Sequence, residues 1–277
     1  MLTKITELPS MYDDLQDKSV ATILDEINLE SLSVAWTVRR ALPMITRLTQ
    51  CVVNHLRQGG RLFYCGCGTG GRLAVLDSIE TYNTYGIEKG RVDAIFPLGI
   101  NNITSPHEME EDNTENAWQQ LQAKNVSAKD IVIGISASGT TPFVLAALRQ
   151  CRHNGIATGC IVANPGTPIA AEADFKVVVI TGPEYVTGST RMKAGTAQKM
   201  VLDMISTTTM IRLGRVKGNR MTNARLLNKK LINRSVRTFM AFHPDCGSYD
   251  EVKKALLKYG SISEAEKNWL PLIKNKP

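Results

Sequence analysis

Residues 186–199, VTGSTRMKAGTAQK, place hydroxyls, the cations Arg191 and Lys193 and two glycines just ahead of an apolar run long enough for a helix. Helix starts leave backbone N–H groups unpaired and carry a partial positive charge. Gly188, Ser189, Thr190 and Gly195 could therefore offer donors to an anion, reinforced by Arg191 and Lys193. A phosphate or a sugar carboxylate would suit such a stretch. The same residues could also form an ordinary Ser/Thr helix cap with solvated basic side chains.

Other turns of similar composition favour the anion. CGCGTGGR (65–72), SASGTTP (136–142) and ANPGTP (163–168) each follow a short apolar run. Gly66, Gly68 and Gly71 formally satisfy G-x-G-x-x-G, the dinucleotide turn, but the acid expected on a nucleotide ribose is missing, because the second run ends Phe96-Pro97-Leu98-Gly99. Arg72 stands where a P-loop would need Gly-Lys-Ser/Thr, which argues against an NTPase. Thr69, Ser136, Ser138, Thr140 and Thr141 instead suit a compact phosphate held by hydroxyls and amides, as in a sugar phosphate. Ser138-Gly139-Thr140-Thr141-Pro142 could equally be a capped helix start with an early proline.

The elements that must position these turns are legible in the hydrophobic period. Residues 61–65, 92–98, 130–136, 157–163 and 175–181 read as buried strands. Helical patterns lie near 71–84, 106–122, 141–153 and 190–212, and a helix over 32–56 carries Pro43 as an expected kink. This alternation predicts an α/β fold, a doubly wound parallel sheet flanked by helices, with ligands bound at the carboxyl ends of the strands. Beyond Arg212 the pattern is helical, over 219–240, 248–258 and 263–270. The expected organisation is an N-terminal helical segment (1–47), the α/β domain (48–212) and a small C-terminal helical region (213–277).

Composition narrows the function classes. With 43% hydrophobic and 21% charged residues the chain of 277 residues reads as a soluble globular protein. No window approaches the roughly 20 apolar residues that cross a bilayer, and the amino terminus lacks a signal-peptide core, so a cytoplasmic protein without membrane partners is expected. The six cysteines lack zinc-site spacing and are expected as reduced thiols, with no metal and no disulfide. From Arg212 onward 15 Lys/Arg face 5 Asp/Glu, so the carboxyl-terminal third carries the net charge of +7. Without aromatic interleaving or a nucleic-acid module, this reads as a solvated face or an aid to anionic substrates, not as a nucleic-acid site.

CGCGTGGRLAVLDSIE, GISASGTTPFV, ANPG and the long run EYVTGSTRMKAGTAQKMVLDMISTTTMIRLGRVKGN resemble the N-acetylmuramic acid 6-phosphate etherases. These are sugar isomerase (SIS) domain proteins related to the glucokinase regulatory protein, and the similarity runs from about Ile27 to Leu231. The resemblance implies an SIS-type α/β domain and a cofactor-independent carbon–oxygen lyase. Such an enzyme cleaves the C3 lactyl ether of N-acetylmuramic acid 6-phosphate, giving N-acetylglucosamine 6-phosphate and D-lactate in amino-sugar catabolism and cell-wall recycling. It also implies a homodimer with shared active sites.

The chemistry needs a general acid and a general base, and carboxyls with tuned pKa values can serve as both. The resemblance carries these roles to Glu80, in LDSIE, and to Glu111, in EMEEDN, where Glu108 and Glu110 compete for the same alignment. Glu184 also matches the family and is expected either on sugar hydroxyls or bracing its loop. Lys193 is expected either on the lactyl carboxylate or paired with a neighbour. With Thr69, Gly70, Ser136, Ser138, Thr141, Ser189 and Arg191, these make up the expected sugar-phosphate site. Of the histidines, His107 and His243 are weak candidates for ring opening, while His55 and His153 read as helix-end residues.

The chain departs from the family pattern at several points. Gly70 stands in place of a serine, Thr140 in place of an arginine, Asn101-Asn102 in place of a Gly-Gly pair, and TELPS in place of Thr-Glu-x-Arg-Asn. The alternatives are therefore a non-catalytic sugar-phosphate-binding regulator and an aldose–ketose phosphosugar isomerase of the same fold.

Overall fold

The computed structural model describes residues 4–105 and 108–274. The chain divides into two compact units, residues 1–78 with 90–209 and residues 79–89 with 210–277.

The first unit is built on a five-stranded parallel sheet. Its strands β1 (Leu62–Gly66), β2 (Val92–Ile95), β3 (Ile131–Ser136), β4 (Ala157–Val162) and β5 (Phe175–Val178) lie in the order β2-β1-β3-β4-β5. β1 and β3 are buried at every position, as expected where both faces of a parallel sheet are covered. The register pairs Gly66 with Ile135 and Ser136 with Val162, so the ends of β1, β3 and β4 reach the same edge.

Helices approach both faces closely because two strand residues lack side chains. A Cβ on Gly134 would lie 2.6 Å from Val144 of α4 (Pro142–His153), and one on Gly159 would lie 2.6 Å from Leu48 of α1 (Val20–Arg57). One core cluster joins Phe63, Val132 and Cys160 to Phe143, Ala147, Leu148 and Cys151 of α4 and to Ile169 and Ala170 of α5 (Pro168–Glu172).

At the opposite edge of the sheet, Asp130 accepts hydrogen bonds from the Arg61 amide (2.8 Å), the Arg61 guanidinium and the Ser127 amide (2.9 Å). Burial alone would raise this carboxyl, but these donors together hold it below the usual range.

Some elements differ from the sequence expectation for local reasons. Over 106–122 the described residues form a short 3-10 turn (Glu108–Asp112) and then α3 (Asn116–Ala123). The Asn113 side chain accepts from the amides of Glu115 and Asn116, and this local turn replaces a continuous helix. α1 starts at Val20, well before the predicted start, and Pro43 lies inside it without ending it.

The second unit holds the hairpin β6 (Val216–Lys217) and β7 (Arg220–Met221) and the helices α7 (Lys229–Phe242), α8 (Tyr249–Tyr259), α9 (Ile262–Asn268) and α10 (Leu270–Lys274). The hairpin displaces the predicted helix start from 219 to 229, where the Asn228 side chain accepts from the Leu231 amide. Val236, Phe239, Val252, Leu256 and Ile262 form its core, and α8 begins with a reciprocal Ser248–Glu251 capping box. The 79–89 segment is stitched into this unit: Arg225 stacks 3.8 Å from the Tyr82 ring centre, and its amide donates to Asn83.

One buried acid of the first unit is unusual. Asp77, on α2 (Gly68–Tyr85), is 6% exposed and accepts a 2.7 Å hydrogen bond from Ser206 on α6 (Lys193–Arg212). The neighbouring Tyr64 hydroxyl and the second Asp77 oxygen make no well-formed hydrogen bond among the described residues. Burial pushes the Asp77 carboxyl up to about 6, with Asp203 adding to the rise and the Ser206 and Tyr64 hydroxyls opposing it.

A carboxyl raised in the fold keeps its proton where the unfolded chain has lost it. Its contribution to stability therefore falls as pH rises from near 3.8 to about 6 and then levels off. Asp77→Asn, neutral at every pH, is expected to be more stable than wild type at pH 8 by up to about 3 kcal/mol. The difference should vanish near pH 4. Denaturant midpoints across this range check it, and a variant less stable than wild type at pH 8 would contradict the assignment.

Candidate functional site

At the carboxyl ends of β1 and β3 lies a cleft of about 410 Å³ within the first unit. Its wall combines the turn into α2 (Cys67 to Gly70, with Arg72), the turn after β3 (Ile135 to Ser138, with Thr141), and Ser189, Thr190 and Arg191 ahead of α6. Glu7, Glu111 and Gln198 complete it.

The backbone is brought close by glycines that nothing else could replace. A Cβ on Gly71 would lie 2.3 Å from the Gly66 carbonyl oxygen, so the turn from β1 into α2 closes only with glycine. Gly139 has φ +73°, and its Cβ would lie 2.4 Å from Thr167. Between these turns the hydroxyls are pre-arranged. Ser136 Oγ accepts from the Gly139 amide (3.0 Å) and lies 2.9 Å from Thr141 Oγ1 and 3.2 Å from Ser138 Oγ. Thr141, the residue before α4, makes no side-chain cap to that helix. The start of α4 therefore keeps backbone donors beside a hydroxyl cluster, an arrangement suited to phosphate oxygens.

Thr69, Gly70, Ser136, Ser138, Thr141, Ser189 and Arg191 all line this cleft. Arg191 is exposed and has no ion-pair partner among the described residues. Glu111 also lines it, whereas Glu110 accepts from the Asn113 side chain.

Glu184 and Lys193 lie behind the wall. The Glu184 carboxylate, 1% exposed, accepts from the amides of Lys193 (2.8 Å) and Ala194 (2.9 Å) at the start of α6. The Lys193 ammonium pairs with Glu30 of α1. Glu80 belongs to the second unit, is exposed, and is not among the residues lining the cleft.

The histidines are placed elsewhere. His243, in the second unit, pairs with Glu266 at 2.8 Å. His55 Nδ1 lies 2.8 Å from the Lys129 carbonyl oxygen, His153 is exposed at the end of α4, and His107 falls outside the described residues. Burial and the adjacent Glu111 push the Cys67 thiol far up, which favours its protonated form. Among the described residues no cluster of three His, Cys, Asp or Glu could hold a metal ion.

Sequence reasoning missed three contributors. Glu7 and Gln198 line the cleft, beside Thr190, which the sequence offers as an anion donor. Asn164, 0% exposed, accepts from the Thr6 amide and donates to Thr6 Oγ1 and to the Ala137 carbonyl, so the turn after β4 braces the site from behind. The ANPG motif signalled that turn but not its bracing role.

A five-stranded parallel sheet of this order, flanked by helices and with a hydroxyl-lined cleft at its strand ends, is that of an SIS-type domain. Residues 44–152 match the family model of the glucokinase regulatory protein N-terminal SIS domain. Two phosphoheptose isomerases share the fold: one from Francisella tularensis (TM-score 0.55, 15% identity, covering 70% of this chain and 100% of that one) and one from Neisseria gonorrhoeae (TM-score 0.52, 16% identity, 69% and 98%).

Full-length relatives are far more similar. N-acetylmuramic acid 6-phosphate etherases of Porphyromonas gingivalis (52% identity over 100% of this chain and 99% of the relative) and Bacteroides fragilis (49%, 95% and 92%) align with it. The chain belongs to the N-acetylmuramic acid 6-phosphate etherase family.

Gly70 has a structural reason to lack a side chain. A Cβ there would lie 2.8 Å from Ile135 Cγ2 and 3.0 Å from Gln198 Oε1, and both neighbours line the cleft. The branched Ile135 methyl has little room to move, so Gly70→Ser is expected to lower stability by about 1–3 kcal/mol through overpacking. Urea unfolding checks this, and an unchanged midpoint would mean that the neighbours yield freely.

Proposed function

We propose that the protein is a cofactor-independent carbon–oxygen lyase that cleaves the lactyl ether of N-acetylmuramic acid 6-phosphate to N-acetylglucosamine 6-phosphate and D-lactate. The observation that carries this reading is the pre-arranged hydroxyl and amide cleft with the carboxylate of Glu111 in its wall. Family membership favours it over the non-catalytic regulator and the isomerase.

In this reading the phosphate is held by Thr69, Ser136, Ser138, Thr141 and Ser189, the backbone at Gly70 and the side chain of Arg191. Glu184 and Lys193 act through the loop they hold. In the open-chain aldehyde a base removes the C2 proton, the C3–oxygen bond breaks, and lactate leaves as its oxygen takes a proton from an acid. Water then adds across the C2–C3 double bond, its hydroxyl to C3 and its proton to C2. Glu111 and Glu80 are the carboxyl pair for these proton transfers.

Glu80 is exposed on a helix and is not among the residues lining the cleft. The reading therefore includes a homodimer in which Glu80 completes the partner's cleft. Apolar residues exposed in the single chain support this. Val20, Leu24, Leu32 and Trp36 lie four or eight positions apart along α1, and Trp36 is 68% exposed. Leu76 and Ile79, exposed on α2, flank Glu80. Six free thiols and the lack, among the described residues, of any helix able to cross a membrane fit a reducing, cytoplasmic setting.

Glu80→Gln and Glu111→Gln are each expected to lower D-lactate release at least a hundredfold. When the two inactive variants are unfolded together and refolded as a mixture, about a quarter of wild-type activity should return. Half the dimers then carry one intact site formed by Glu111 of one chain and Glu80 of the other. A mixture no more active than its components would sink the shared-site reading, and a wild type that releases no lactate would sink the lyase reading.

A further inference from the structure

The cleft contains a second carboxylate to which no role has been given. Glu7 lines it, and its side chain makes no hydrogen bond or ion pair among the described residues. Its Oε2 lies 3.2 Å from where a Cβ of Gly188 would stand, against the loop that contributes Ser189 and Arg191. Gly188 has φ +73° there, so a side chain at this position would both strain the loop and press on the carboxylate.

An exposed glutamate near a terminus is usually a solvated surface acid, but the segment carrying Glu7 is fastened on both sides. Thr6 is 0% exposed; its amide donates to Asn164 Oδ1 (3.2 Å) and its hydroxyl accepts from Asn164 Nδ2 (3.0 Å). Asn164 in turn donates to the Ala137 carbonyl of the hydroxyl turn. Three residues beyond Glu7, the Ser10 hydroxyl donates to the Tyr185 carbonyl (2.7 Å) and the Ser10 amide to Thr187 Oγ1 (2.9 Å). Glu7 is thus held between the hydroxyl turn and the loop before α6, two segments that both line the cleft.

A carboxylate fixed beside an anion cradle repels a bare phosphate, so a site for inorganic anions would gain nothing from it. It can only accept hydrogen bonds. Its complement is the neutral, donor-bearing part of a phosphorylated ligand, namely sugar hydroxyls or an amide N–H.

We propose that Glu7 is a substrate-binding residue that accepts a hydrogen bond from a hydroxyl or the acetamido N–H of the phosphosugar. It thereby orients the sugar once the phosphate is seated and discriminates against phosphate alone. This rests on the phosphosugar reading of the cleft, but not on the lyase chemistry.

The test uses Glu7→Gln and Glu7→Ala in the full chain. Loss of a charge-assisted hydrogen bond is expected to raise KM for N-acetylmuramic acid 6-phosphate and the Kd for N-acetylglucosamine 6-phosphate at least tenfold in Glu7→Ala, with a smaller rise in Glu7→Gln. Inhibition by inorganic phosphate should stay equal or tighten, and the melting temperature should not move, because the side chain bonds nothing in the protein.

Unchanged KM and Kd in Glu7→Ala would overturn the proposal. So would equal losses for sugar phosphate and inorganic phosphate, which would mark a merely structural strap. If wild type releases no lactate yet binds N-acetylglucosamine 6-phosphate, the lyase reading fails and the calorimetric Kd still decides on Glu7. If it binds neither sugar phosphate, both fall.

Discussion

The start of α6 rests on the buried carboxylate of Glu184. By accepting the amides of Lys193 and Ala194 it satisfies two of the donors every helix start leaves open, in a place where water cannot reach them. A carboxylate stripped of water needs such partners, and leaving a buried donor of this kind unsatisfied costs about 1–3 kcal/mol. The clamp fixes where the preceding loop must turn, so Ser189, Thr190 and Arg191 face the cleft while Lys193 points to Glu30. Glu30 also accepts from Tyr12, whose ring packs 5.0 Å from Tyr185, and the Tyr185 hydroxyl donates to Glu26 of α1. The amino-terminal strap, the long first helix and the loop before α6 are therefore one interlocked assembly.

This assembly explains why the site was only partly legible in the sequence. Everything that rests on local pattern could be read: the five strands, the alternation that makes the sheet parallel, and the glycine and hydroxyl turns at the strand ends. Ser136, Ser138, Thr141 and Ser189 were within reach because they sit in glycine-containing hydroxyl turns that follow apolar runs. What could not be read are the pairings across sequence. Lys193 with Glu30 spans 163 positions and Thr6 with Asn164 spans 158. Nothing in TELPS itself announces that Thr6 is buried and that Glu7 faces a cleft. Local competition was equally hidden, since Asn113 ends one turn and begins α3 through side-chain bonds that a periodicity reading cannot weigh.

The distribution of charge bears on the proposal that the cleft holds an anion. The net charge of +7 comes from the carboxyl-terminal third, but no described residue of that third is among those lining the cleft. The charged residues in its wall are two arginines and two glutamates, and one arginine, Arg72, is engaged with the carbonyls of Ile103 and Ser105 and lies over the Phe96 ring. Attraction by net charge is therefore weak. The affinity must come from fixed dipoles: helix-start amides and hydroxyls already oriented by one another, which lose little on binding and do not attract every anion alike. Such a cradle can sit beside carboxylates without being swamped by countercharge, whereas a lysine-rich pocket would pair with them. In the proposed reading, that compatibility would let one small cleft hold a phosphate and keep acids within reach of the sugar, the combination that proton abstraction next to a carbonyl requires.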